Sequence, residues 1–211
     1  MSIIDKVKQN GHLKSFIINV ISSRRNPRPR LWVKWFVNPF VHRRGKGAVI
    51  RFRRSRIDVF PWHKFDVGRN SLIEDFTTIN NGAGDIVIGD NARIGIGSVV
   101  IGPVVLGNKV GLGQHVFISG FNHGYSDASR DSNEQDLVKK GVIIDDDTHI
   151  GANSVVVAGV HIGTRTQVGA GSVVTKDLPS YCVAAGNPAC VLKRYDFDKK
   201  EWIRVSGYSK S

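Results

Sequence analysis

Aliphatic residues recur every six positions along most of this chain, a period that excludes most folds. The run Ile88, Ile94, Val100, Leu106, Leu112 and Ile118 holds one register, and glycine follows four of its six members. Four positions after the first five stand small or β-branched residues: Ala92, Ser98, Val104, Val110 and Val116. The register lapses, then resumes at Ile144, Ile150, Val156, Ile162, Val168 and Val174, with Thr148, Ser154, Val160, Thr166, Ser172 and Leu178 at the fourth positions. A weaker start at Val67, Ile73 and Ile79 carries three extra residues before Ile88. Neither a 3.6-residue helix nor a heptad fits this spacing, and so much glycine opposes helix. Six residues suit a short strand and a tight corner, the aliphatic residue pointing inward and the small one letting the chain bend close to the core. Three such units close a triangular coil of about 18 residues, and stacked coils bury one continuous column. The 15 units, weak ones included, make about five coils of a parallel β-helix.

Composition agrees with a folded solenoid. Hydrophobic residues are 41% of the 211 and charged ones 23%, a globular balance that excludes wholesale disorder. The 23 glycines lack the every-third spacing of collagen. Two cysteines, Cys182 and Cys190, form no C-x-x-C pair, which excludes a disulfide-rich scaffold or a zinc finger and makes a reducing cytoplasm the expected compartment. The apolar stretch from Phe16 to Ile21 includes Asn19 and is too short for a signal core or a membrane span.

Charge divides the chain. Residues 1–56 hold 15 Lys and Arg against one acid, Asp5, a balance of +14; residues 57–211 hold 15 basic and 17 acidic residues, a balance of −2. The expected organisation is a basic N-terminal arm over 1–56, a β-helix over 57–192 and a tail over 193–211. Within the arm Ala48 to Phe52 and Ile57 to Phe60, at its border, read as short strands. The arm points to an anionic partner: a membrane surface or acidic glycan first, nucleic acid less favoured. Trp32, Trp35, Phe36 and Phe40 interleave with its basic residues, as suits a membrane interface or packing on the main domain.

The repeat resembles the left-handed β-helix acyltransferases, the hexapeptide-repeat transferases, over about residues 60–192. The resemblance implies a left-handed coil, against the usual right-handed crossover. It also implies a homotrimer with active sites in clefts between subunits, and acetyl-CoA as co-substrate.

Between Ile118 and Val142 the repeat is suspended by Ser-Gly-Phe-Asn-His-Gly-Tyr-Ser-Asp and a polar stretch, a loop over 119–143. So long an excursion from a compact solenoid is usually functional. It opens on His123, and imidazole is the common general base near neutrality. Ile118-Ser-Gly-Phe-Asn-His-Gly-Tyr is similar to the loop entry at which the family places its catalytic His, so His123 is the expected base and Asn122 an acceptor contact. A sugar hydroxyl attacks a thioester only as a base removes its proton, and the resulting oxyanion needs fixed donors. Backbone N–H groups, Asn80, Asn81 and Ser119 are candidates for that role. Asn80 and Asn81, in an irregular Asn-Asn-Gly-Ala-Gly-Asp insert, are also expected in the acceptor pocket, since a similar asparagine lines it in sugar acetyltransferases. Asp66 is a further acceptor candidate. The acid orienting His123 stays open among Asp127, Asp131, Glu134, Asp136 and Asp66.

The run from Val168 to Pro179, followed by Ala185-Gly-Asn-Pro-Ala, is similar to the acetyl-CoA end of these enzymes. By that resemblance Gly151, Ala152 and Ala170 pass the pantetheine arm along the coil edge, joined by Ser119. Thr175 and Lys176 meet the nucleotide end, and Lys193 or Arg194 pairs with phosphate. Many sugar acetyltransferases place Trp where His149 stands here. His115, His123, His149 and His161 contain no H-x4-H pair, and no two are one coil apart, so no metal is expected. The Asn-His-Gly-Tyr step is most similar to O-acetyltransferases of lipopolysaccharide and capsule biosynthesis. The expected enzyme therefore moves acetyl to a sugar hydroxyl of a surface glycan or its precursor, in the cytoplasm or peripherally at the inner membrane face. An antibiotic O-acetyltransferase is the rival enzyme, and a β-helix scaffold with an anionic-surface-binding arm is the rival of another class.

Overall fold

The computed structural model describes residues 11–22 and 28–205. It is an all-β solenoid of about six coils, a left-handed parallel β-helix. One face stacks Arg43–Arg44, Phe65–Val67, Ile86–Ile88, Val104–Leu106, Val142–Ile144 and His161–Ile162. The second stacks Val49–Ile50, Leu72–Ile73, Arg93–Ile94, Gly111–Leu112, His149–Ile150 and Gln167–Val168. The third stacks Arg56–Asp58, Thr78–Asn80, Val99–Ile101, Phe117–Ser119, Val155–Val156 and Val173–Val174.

The six-residue register is the register of the core. Ile88 pairs with Leu106, Leu106 with Ile144 and Ile144 with Ile162, all buried. Leu106 and Ile144 are 38 positions apart rather than 18, so 20 residues leave between two coils without shifting the pairing on either side. Each fully buried Ile or Leu contributes roughly 1.5–3 kcal/mol relative to exposure.

The fourth-position residues do more than save space. Ser71, Ser98, Thr148, Ser154, Thr166 and Ser172 are buried at the corners. Ser98 Oγ donates to Gly113 O at 3.0 Å, Thr148 Oγ1 to Gly163 O at 2.9 Å and Ser154 Oγ to Gly169 O at 3.1 Å, each about one coil ahead. The same hydroxyls accept from Val116 N, Thr166 N and Ser172 N. A corner leaves backbone groups outside the strand ladder, and these hydroxyls satisfy them without water.

The solenoid starts earlier than the charge boundary suggests. Arg43–Arg44, Val49–Ile50 and Arg56–Asp58 are strands of a first coil, paired with Phe65–Val67, Leu72–Ile73 and Thr78–Asn80. Ile50 lies 23 positions before its partner Ile73, and Ile57 lies 22 before Ile79, so this coil hides from an 18-residue search. That gives about six coils instead of five, and places residues 43–56 within the β-helix. The anticipated tail is partly sheet too: Cys182–Gly186, Ala189–Asp196 and Glu201–Arg204 extend the second face as an antiparallel meander.

Two helices cap the first coil, α2 (Leu31–Phe36) and α3 (Asn38–Val41), the latter with Pro39 in its first turn; α1 (Gly11–Ile21) precedes them and is tied to the segment before α2, where Arg30 N donates to Ile21 O. Val33 is fully buried, and Asn38 Nδ2 donates to Val59 O at 2.9 Å. Asp58, fully buried, is neutralised by Arg28, Lys34 and Arg56. Several of the arm's charges therefore hold the cap to the coil, since a buried carboxylate persists only when paired.

Candidate active site

The loop leaves at the corner between the third and first faces. Ser119 ends a strand of the third face, and Ser119 Oγ donates to Phe121 O at 2.9 Å. Phe121–Asn122 then pairs antiparallel with Val138–Lys139, bringing the loop back beside its own root. Lys140 N donates to Gly120 O at 3.0 Å, and Gly159 N of the next coil to Lys140 O at 2.8 Å. Both ends of the excursion are thus tied to the rigid solenoid.

His123 follows this short hairpin strand and is exposed. The Phe121 ring meets it edge-on, with centroids 5.8 Å apart. Gly124 is buried, and a Cβ there would lie 2.6 Å from Asp136 O, so glycine permits the returning chain to pass directly behind His123. Phe121 escaped the sequence reading, although its place two residues before the histidine in a strand-like run was the available signal.

No described carboxylate pairs with His123. Asp127 Oδ1 instead accepts from Ser129 N at 2.9 Å and Ser129 Oγ at 2.6 Å. Those bonds hold its carboxyl below the usual range, so their support of the turn is present at neutral pH and fades on acidification. Gln135 donates to Asp127 O and Arg130 O, closing the loop on itself. Asp131, Glu134 and Asp136 are exposed.

The acceptor candidates separate. Asn80 points outward from the third face; it pairs in register with Ile101, which pairs with Ser119, so it stands two coils, about 10 Å, below the loop root. Its Oδ1 accepts from Gly82 N at 2.7 Å. Asp66 lies on the first face, where its Oδ1 accepts from Arg43 N at 3.3 Å. Asn122 is exposed beside His123. Asn81 cannot meet an acceptor in this arrangement. It is fully buried, its Nδ2 donates to Phe60 O, His63 O and Lys64 O, and its Oδ1 accepts from Phe60 N at 2.6 Å. The insert read as part of a pocket is, at this residue, a bracket inside the chain.

The donor candidates fall into two groups. Gly151 and Ala170 stack in successive coils at the corner between the second and third faces; a Cβ on Gly151 would sit 2.4 Å from Ala170 N. Ala152 shares this corner, its N 2.7 Å from a Cβ built on Gly113 of the preceding coil. The result is a smooth edge of small residues. Thr175 and Lys176 are exposed one face away, at the corner column that carries Ser119 and the loop. Lys193 and Arg194 lie on the added meander, opposite Val183 and Cys182. His149, where a Trp was the comparison, lies across Gly111 of the coil below, 2.7 Å from a Cβ built there. Ser119, with its hydroxyl on Phe121 O, shapes the loop root rather than standing free.

The two thiols differ. Cys182 is buried against Thr166 Oγ1, and burial pushes its thiol above the ordinary value. Cys190 is exposed. Alkylation of the native protein should label Cys190 and leave Cys182 unmodified until the chain is denatured; peptide mass mapping reads this directly.

The architecture is thus a β-helix with a small-residue edge and a histidine-bearing loop between two of its coils. Residues 85–118 and 141–176 match the family profile described as the hexapeptide repeat of succinyl-transferase. The chain is 31% identical over 169 residues to a putative lipopolysaccharide biosynthesis O-acetyl transferase, WbbJ, of Escherichia coli K12, covering 73% of this chain and 86% of that one. It is 37% identical over 131 residues to the polysialic acid O-acetyltransferase of Escherichia coli O1:K1, covering 61% and 42%. Some curated relatives are longer, and this chain spans 44% of one of them. Among solved structures, the hexapeptide-repeat acetyltransferase VCA0836 of Vibrio cholerae, complexed with acetyl coenzyme A, aligns at 25% identity and a TM-score of 0.51 over 74% of this chain and 71% of that one. The chain belongs to the hexapeptide-repeat acyltransferase family.

Proposed function

We propose that this enzyme transfers acetyl from acetyl-CoA to a hydroxyl of a surface glycan or its precursor, with His123 as the general base. The observation that carries this reading is the placement of His123: exposed, next to the Phe121 edge, and fixed at the root of the one long excursion from the solenoid. The sugar class is supported by the two Escherichia coli relatives, and the donor by the acetyl-CoA complex of the Vibrio relative.

His123 takes the hydroxyl proton as oxygen attacks the thioester carbonyl. CoA thiolate then leaves and takes up that proton from the imidazolium. The small-residue edge at Gly151, Ala152 and Ala170 admits the pantetheine arm against backbone. That edge lies one face away from the loop within a single chain, so two copies side by side bring one copy's edge to the other's loop. This supports a homotrimer with shared clefts. Thr175, Lys176, Lys193 and Arg194 supply polar and cationic groups for the nucleotide end.

Thiol release from acetyl-CoA should depend on a glycan or sugar acceptor, and initial-rate lines should intersect as for a ternary complex. A covalent acetyl-enzyme needs an activated nucleophile, and Cys182 is buried with a raised thiol pKa. Parallel lines, or an acetylated peptide recovered without acceptor, would overturn the direct-transfer mechanism. A panel in which aminoglycosides or other antibiotics alone support turnover would move the enzyme to the rival class.

A further inference from the structure

The helical cap is amphipathic in the wrong sense for a domain that faces only water. In α2 and α3 the inward residues are Val33 and Asn38, while Trp35 and Phe36 are each 69% exposed and Phe40 is 86% exposed. Leu31 with Trp35, and Trp32 with Phe36, are pairs four apart on the helix, so the bare rings form a contiguous stripe. Phe16 and Val20 of α1 and Phe52 of the first coil are exposed as well. An exposed apolar surface on this scale marks an interaction site.

Cations surround it. Arg28, Lys34 and Arg56 are engaged by Asp58, and Arg51 by Asp75. Arg43, Lys46, Arg53 and Arg54 are exposed and form no ion pair with a described carboxylate, whereas Arg30 and Arg44, also exposed, donate to Asn19 O and Ala48 O. Between cap and coil opens a cleft of about 630 Å³, lined by Trp35, Phe52 and Ile57 together with Lys34, Arg43 and Arg44. No helix among the described residues is long and apolar enough to cross a membrane.

We propose that this cap is a docking surface for an anionic phospholipid bilayer. Rings of Trp and Phe rest at the level of the headgroups, and the exposed cationic groups of Arg43, Lys46, Arg53 and Arg54 meet lipid phosphate. The aliphatic exposure of Leu31, Val20 and Val41 selects this occupant over an acidic glycan or nucleic acid, which would use the cations and aromatic faces but leave those aliphatic groups in water. The surface sits on the first coil, the end of the solenoid away from Thr175 and Lys176. Docking there holds the enzyme at a membrane where lipid-linked acceptors reside, without occupying the loop.

The test is co-sedimentation of the full chain with vesicles of phosphatidylcholine alone or containing phosphatidylglycerol, at low and high salt, with tryptophan fluorescence as a second readout. Binding to the anionic vesicles should exceed binding to neutral ones by roughly tenfold or more and fall with salt. A tryptophan blue shift should accompany it. The double variant Trp35→Ala with Phe40→Ala, both solvent-facing, should lose roughly tenfold in vesicle binding. It should keep the oligomeric state and acetyl transfer to a small soluble acceptor. Equal binding to both vesicle types would overturn the proposal. So would anionic binding that ignores the double variant, which reduces the cap to a charged surface. A change in oligomeric state on that substitution would overturn it too, assigning the stripe to contact between copies.

Discussion

Replacing His123 by alanine should lower kcat by at least about two orders of magnitude, the ordinary loss when a positioned base is removed. The hairpin of Phe121–Asn122 with Val138–Lys139 uses backbone pairing, and Gln135 and Asp127 close the rest of the loop, so the imidazole can be deleted without collapse around it. Affinity for CoA and the melting temperature should therefore stay near those of the parent. Restored turnover in His123→Ala on adding free imidazole would identify the missing group as a base, because a ring needed only for packing against Phe121 cannot be replaced from solution. Turnover within a few-fold of the parent would make His123 structural. The reading of the loop would then fail, although the fold and the family would stand.

The sequence revealed the solenoid and obscured its ends for the same reason. Ile88 to Ile118 and Ile144 to Val174 sit in coils of constant length, where inward residues stack at equal intervals. Strand Val49–Ile50 obeys the same inward rule, but its coil is five residues longer than the regular ones, and a fixed period cannot find it. Charge marked a border at Arg56 because composition records where cations lie, not what they do. Arg28 and Arg56 turn inward to buried Asp58 while Arg53 and Arg54 face solvent, a division invisible in a count. The site was legible where the chain departs from its own rule. His123 announced itself by the suspended repeat; the acid to orient it did not, and no described carboxylate approaches it within one chain. Gly151, Ala152 and Ala170 were identifiable as small residues, but their corner could be placed only once the three faces were assigned.

Asn81→Ala should be among the most destabilising single changes in the molecule, and Asn80→Ala, next to it, should not. Asn81 makes three donor contacts, to Phe60 O at 3.0 Å, His63 O at 2.9 Å and Lys64 O at 3.3 Å, and accepts from Phe60 N at 2.6 Å. Alanine removes all four, but Lys64 O keeps Ile86 N and Phe60 O keeps His63 N; Phe60 N and His63 O lose their partner, at about 1–3 kcal/mol each. Water entering the vacated space would recover part of that, so a net loss of about 2–4 kcal/mol is expected, large against the marginal stability of a domain. The segment so released, from Phe60 to Lys64, links the first coil to the second and carries His63 beside Asp85. Its loosening should fray the N-terminal coils before the regular ones, readable as early hydrogen exchange in residues 43–80. Asn80, outward-facing with only Gly82 N on its oxygen, should cost about 1 kcal/mol when truncated. If it contacts the acceptor, the cost falls on acceptor KM instead. A large fall in melting temperature for Asn81→Ala with intact turnover in the surviving folded fraction separates the bracket from the pocket. Unchanged stability with lost acceptor binding would return Asn81 to the site.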